Sequence, residues 1–250
     1  MSTDTSHPHG RPPEAMSAAA APAAPVPLLA YVPLGERPLR RLPQLIAGLA
    51  LCGFSLSVMV RASLGVNPWS VLNEGVENHT PLSFGMVSAV VGLCVLLLWI
   101  PLRQRPTLGT VANVIVLACA SDLGLALIPQ RLGLPVRACL LAGGILLNGF
   151  SIAVYVGARF GPGPRDGLMT GMSSVAKGSI RVIRTLIEIT VLVVGWLLGG
   201  SVGVGTVVYA LSVGAITQFF LPRFAYRGDT DPRAPGARRA PRTDPAQGLL

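Results

Sequence analysis

The chain has 250 residues, of which 51% are hydrophobic and only 12% charged, against about 25% charged in an average soluble domain. Its mean hydropathy is +0.59, which excludes a disordered chain and a small disulfide scaffold and argues against a soluble enzyme. The net charge is +9, and the basic residues flank apolar runs. That pattern follows the rule placing Arg and Lys on the cytoplasmic side of membrane spans, not a nucleic-acid footprint.

Residues 1–36 are rich in Ala, Pro and Ser and cannot build a packed core. They are expected to form a cytoplasmic tail, with His7 and His9 a stray pair. Six segments then approach the roughly 20 apolar residues that cross a bilayer: Leu42–Val60, Leu82–Ile100, Leu108–Ile128, Ala138–Val156, Val182–Leu198 and Val202–Leu221. The fifth is the weakest, because it is short and carries Arg184 and Glu188. Two shorter helices, Trp69–His79 and Asp166–Lys177, are expected to be re-entrant or interfacial. From residue 222 the chain reads as a second, basic cytoplasmic tail. Cys52, Cys94, Cys119 and Cys139 lie inside apolar runs as small hydrophobes.

A shift of 96 positions aligns the chain with itself without a gap. Gly53-Phe54-Ser55 falls on Gly149-Phe150-Ser151, Gly65 and Pro68 on Gly161 and Pro164, and Gly109-Thr110-Val111 on Gly205-Thr206-Val207. The expected units are residues 37–128 and 129–221. Each holds three crossings, an odd number, so the second enters from the opposite face. The fold class is therefore an all-α, polytopic membrane protein of six transmembrane helices. They form two inverted three-helix repeats, each with a short broken helix, as in many secondary transporters. With both termini in the cytoplasm, only Arg61, Arg131 and Arg137 fall outside.

The candidate site follows from the breaks. Asn67-Pro68-Trp69 and Gly161-Pro162-Gly163-Pro164-Arg165-Asp166 end one helix and start another. Helix starts carry free N–H groups and positive partial charge. Two of them approaching from opposite faces could hold a polar or anionic group, or could simply be tight turns. Glu188 lies mid-span, where a lone carboxylate is expensive, and Arg184 precedes it by one turn. That pair is either a structural ion pair or a proton or substrate carboxylate. Gly144, Asn148, Ser151 and Tyr155 share a helix face, and Asn113 aligns with Tyr209. These could line a cavity or bond to neighbouring helices. Asp122, near an outer helix end, is expected to pair with Arg61 or Arg131. Glu74 and Glu77 are expected on a solvated face, with Glu74 able to turn inward.

The order LGVNPW, then GTVAN, FGPGPRDGLM, an Arg- and Glu-bearing helix, and GVGT resembles the YczE-type bacterial membrane-protein family, related to the YitT family. The resemblance implies a small multi-spanning protein of the bacterial inner membrane. It carries over Asn67, Pro68, Trp69, Gly161, Gly163, Pro164, Arg165, Asp166, Arg184, Glu188, Gly205 and Thr206 as motif residues. No catalytic constellation, cofactor motif or metal-ligand spacing is found, so an enzyme is not expected. The expected function is a permease for a small polar or anionic molecule, with the lipid bilayer as environment. The alternative is an accessory membrane protein that scaffolds a protein partner, or a homo-oligomer.

Overall fold

The computed structural model describes residues 36–176 and 179–226. Most of both expected tails, with His7 and His9, and the end of the second short helix at Lys177 lie outside the described residues. Within them the chain forms eight helices and no strand. These are α1 (Pro38–Ala62), α2 (Pro68–Glu77), α3 (Phe84–Trp99), α4 (Leu108–Leu127), α5 (Leu134–Gly157), α6 (Pro164–Ala176), α7 (Ile180–Leu197) and α8 (Val204–Phe224).

Local chemistry sets the boundaries. α1 runs into a left-handed Ser63 (φ 49°) and then Gly65 at φ 104°. The chain restarts at Pro68, whose missing N–H is harmless in a first turn. Asn67 caps that turn by accepting the Ser70 N–H at 2.9 Å. The second break repeats the first, with Arg159 at φ 56° and Gly161 at φ 109° before Pro164. Thr107 and Thr110 form a reciprocal box at the start of α4. The carboxylate of Asp122 does not pair with Arg61 or Arg131. It accepts Ser83 Oγ at 2.6 Å and the Gly85 N–H at 2.7 Å, tying the start of α3 to α4. Arg61 instead donates to the carbonyl of Leu125.

Helices α1, α4, α5 and α8 are long and apolar enough to cross a membrane. α3 has 16 residues, about 24 Å at 1.5 Å per residue, and is apolar but shorter than a full span. α7 has 18 residues and carries Arg181, Arg184 and Glu188. The shortfall in α3 comes from its ends, the Ser83 cap and Pro101. α8 runs to Phe224, past the expected boundary at 221. Tyr226 packs back, donating its N–H to Gly157 O at 2.8 Å and its hydroxyl to Glu36 Oε1 at 3.1 Å. Residues 222–226 thus belong to the helical bundle.

α1 is the most enclosed of the long helices. It lies antiparallel to α5, because Gly48 meets Tyr155 near one end and Met59 meets Gly144 near the other. It lies parallel to α4. Gly53 sits on Leu117 and Ala120, and one turn on Ser57 Oγ donates to Ser121 O at 2.7 Å. α5 and α8 are parallel in the same manner, with Gly149 on Ile216 and Gly157 on Phe224. These seams need glycine. A Cβ on Gly48 would stand 2.6 Å from Tyr155 N, and one on Gly149 2.6 Å from Ile216 Cγ2.

Contacts recur at the 96-residue spacing seen in the sequence. Arg41 Nε and Nη2 donate to Ala158 O and Arg159 O, each at 3.0 Å. Arg137, 96 positions on, donates from Nε to Ala62 O at 2.7 Å and from Nη2 to Ser63 O. Each guanidinium thus closes the end of the helix that the other begins, where carbonyls lack intrahelical partners. Gly65 rests on Gly203 as Gly161 rests on Thr107. Trp99 fills the space over Gly167, and its counterpart Gly195 receives Leu72. One contact departs from the pattern. α3 lies along α4, whereas α7 stands off from α8.

Candidate functional site

Two polar groups stand out, one at the α1–α5 crossing and one at the start of α6. The first is at the α1–α5 crossing. Asn148 is 1% exposed. Its Nδ2 donates to Ser55 Oγ at 2.7 Å and approaches Cys52 Sγ at 3.6 Å. Its Oδ1 accepts the Tyr209 hydroxyl at 3.0 Å. Cys52 and Asn148 are themselves 96 positions apart, so equivalent residues meet each other here. This network joins α1, α5 and α8 through groups that satisfy one another, the condition for burying polarity cheaply.

The second group is charged and belongs to the first turn of α6. Arg165 places its guanidinium 4.9 Å over the Trp69 ring, a cation–π contact between another equivalent pair. Among the described residues Arg165 makes no ion pair or hydrogen bond. Asp166 is accessible to solvent although α6 packs against α3 and α7, as expected of a carboxylate facing a cleft. The Gly163 N–H engages it from one side, an N-terminal capping contact. The charges acting on it come from Arg184, Arg165 and Glu188. Arg184 Nε donates to Glu188 Oε1 at 3.0 Å, so those two neutralise each other. Their side chains are 59% and 34% exposed. Tyr209 on α8, whose hydroxyl is held by Asn148, and Tyr155 on α5 lie in the same region. Asn113 on α4 borders Gly163.

The fold therefore gathers Trp69, Asn113, Asn148, Tyr155, Gly163, Arg165, Asp166, Arg184, Glu188 and Tyr209 around one cleft. Asn67, Pro68 and Gly161 stand apart. Asn67 spends its amide on its own helix, both accepting the Ser70 N–H and donating to Ser70 Oγ at 2.9 Å, and Gly161 packs on Thr107. Glu74 accepts the N–H of Ser201, in the loop between α7 and α8, at 2.8 Å.

Three features were not picked out in the sequence. Arg41 and Arg137 could have been found by extending the 96-residue alignment towards the N-terminus, since they coincide in it. Asn73 is fully enclosed, and neither its Nδ2 nor its Oδ1 has a partner among the described residues. The Nε1 of Trp69, one turn earlier, is also unpaired. Asn73 aligns with Met169, so the repeat gave no sign of it. A separate hollow of about 530 Å³, lined by Ser63, Gln130, Arg131, Leu132 and Arg137, contains none of the expected site residues.

Helices of this length and apolarity, with aliphatic side chains over their outer faces, make this a helical membrane protein. The chain belongs to the family described as "Family of unknown function (DUF6198)", whose model matches residues 39–222. It is 40% identical over 177 residues to a protein of Haemophilus influenzae named "Uncharacterized protein", covering 71% of this chain and 81% of that one. It is 29% identical over 179 residues to the "Uncharacterized membrane protein YczE" of Bacillus subtilis, covering 71% of this chain and 83% of the relative. A third relative, "Uncharacterized protein YyaS" of Bacillus subtilis, is 23% identical over 182 residues, or 70% of this chain and 89% of the relative. No solved structure matches.

Proposed function

We propose that this protein is a permease for a small polar or anionic molecule, a carrier and not a catalyst. It sits in the bacterial inner membrane as two inverted three-crossing repeats with both termini in the cytoplasm. In this reading α1, α3 and α4 cross in one half and α5, α7 and α8 in the other. α2 and α6 enter part-way and turn the chain back. The antiparallel α1–α5 pair, the parallel α1–α4 and α5–α8 pairs and the contacts that recur 96 residues apart support this arrangement. Arg41 and Arg159 lie at one end of the bundle and Ser63 and Arg137 at the other, and the larger share of arginine and lysine that this topology puts on the first side supports a cytoplasmic N-terminus. The name of the Bacillus subtilis relative YczE supports a membrane location.

The observation that carries the transport reading is the guanidinium and carboxylate of Arg165 and Asp166, which form no ion pair with each other, at the point where the start of α6 meets Trp69 of α2. Charges so placed cost stability, and a purely structural bundle has no use for them. The test compares metabolites inside and outside cells lacking the protein, cells expressing it, and cells expressing Glu188→Gln at equal folded levels. A compound that crosses with the wild type alone supports the permease. Unchanged flux in the variant removes Glu188 from the mechanism, and no shifted compound at all favours the accessory, scaffolding role.

A further inference from the structure

We propose that the cleft takes a small zwitterion of the α-amino-acid type, its carboxylate on Arg165 and its ammonium on Asp166. This rests on the permease reading and narrows its cargo.

The argument is one of charge balance. Four charged side chains border the cleft. Arg184 and Glu188 neutralise each other at 3.0 Å. That leaves one guanidinium and one carboxylate, on consecutive residues of the first turn of α6. They do not pair with each other, because the Arg165 guanidinium rests over Trp69 at 4.9 Å. A guanidinium held on a ring face keeps its N–H edge free for a two-oxygen anion. The N–H groups of Arg165 and Asp166 also lie ahead of the first intrahelical bond, which is donated by Gly167 to Gly163 O, and they favour an anion at the same place. A simple anion would meet Asp166 as a like charge. A simple cation would meet Arg165. A neutral molecule would leave both uncompensated. A ligand with both charges a few bonds apart satisfies the two neighbours together. The unpaired Trp69 Nε1 adds a neutral donor on the ring that Arg165 covers.

The test uses the purified full-length protein in lipid nanodiscs and calorimetric titration. The probes are a series of α-amino acids from glycine to tryptophan. For alanine the matched propionate, lacking the ammonium, and ethylamine, lacking the carboxylate, are included. Binding within the amino-acid series is expected, with each matched half-molecule weaker by about 30-fold or more, the consequence of leaving one of the two charges without its counter-charge. Asp166→Asn is expected to reverse the order, so that propionate binds more tightly than alanine. Arg165→Gln is expected to favour ethylamine over both. A variant that merely misfolds would lose all three probes together and could not reverse a preference. Propionate or ethylamine binding the wild type as tightly as alanine overturns the proposal, as does no binding by any amino acid to folded protein. The flux experiment separates the two readings. A cargo that moves but is not a zwitterion leaves the permease standing and removes this inference. An amino acid that binds without moving does the reverse.

Discussion

At the scale of single residues, this protein is governed by where side chains are absent and where charges are enclosed. Gly167 lies under the Trp99 ring, and a Cβ there would come within 2.0 Å of Cζ2. Trp99 is 2% exposed and its Nε1 donates to Pro164 O at 3.0 Å, so it has nowhere to move. Gly167→Ala is expected to lose about 1–3 kcal/mol by overpacking, read as a lowered thermal midpoint in detergent. Gly143→Ala on α5 meets nothing within 4 Å and should leave the midpoint unchanged or slightly raised. Equal losses at both sites would refute the packing account. Glu77, at the end of α2, supplies a pH test. Burial pushes its carboxyl above the usual value of 4.5, and the negative charge of Asp122 adds to this while Arg61 opposes it. A carboxyl whose folded pKa is raised binds more protons in the folded state. Its stabilising contribution is thus complete below pH 4.5 and is lost as pH rises through the folded value. Glu77→Gln should therefore leave the midpoint at pH 4 almost unchanged and raise it at pH 7. The opposite sign would show that the Arg61 attraction outweighs burial.

At the scale of elements, the ends of helices decide how the halves are joined. Arg41 and Arg137 each bridge two carbonyls at the end of a helix from the other half. Such a carbonyl has no partner in its own helix and, at the enclosed Ala62 and Ala158, little access to water. Arg137→Met is expected to cost about 1–3 kcal/mol, the penalty of leaving enclosed acceptors unsatisfied. Arg137→Lys should recover only part of it, because an ammonium lacks the planar fork that reaches both carbonyls. Full recovery by lysine would reduce the contact to simple charge. The starts and stops of these elements were largely legible in the sequence. Both broken helices begin at the prolines that the pattern singles out, since the rigid ring and missing N–H act locally. The partner of Asp122 was not legible. Periodicity places that residue near a helix end, but only the approach of α3 brings Ser83 and the Gly85 N–H to it in place of an arginine.

At the scale of the whole molecule, the two halves match in most contacts and differ in one. α3 packs along α4, with a Cβ on Gly92 placed 3.3 Å from Val114. The corresponding α7 and α8 are parted, and Gly214 on α8 has open space where its counterpart Ala118 meets Gly85. A permease of inverted repeats exchanges such a difference between its halves as it turns its site from one face to the other. Cysteine pairs at Gly92 and Val114, and separately at Glu188 and Ala210, introduced after replacing the four native cysteines by alanine, test this in membranes. Both pairs are expected to cross-link, although only the first is within reach in the state described. The second pair remaining unlinked under all conditions would mean a rigid bundle, and would favour the accessory role.

The sequence by itself determined the membrane character of the chain, its helical elements, their two breaks and the 96-residue recurrence. Each of these is written in local composition or in like residues at a constant spacing. The burial of Asn148 in a satisfied network, the isolation of Arg165 over Trp69, the enclosed Asn73 and the open α7–α8 gap were decided by tertiary structure alone. They depend on which helix lies beside which, and residues far apart in the chain become neighbours only when glycine seams let the backbones approach. Composition records what a side chain prefers to be near. It does not record which charge finds its partner and which is left facing the cleft.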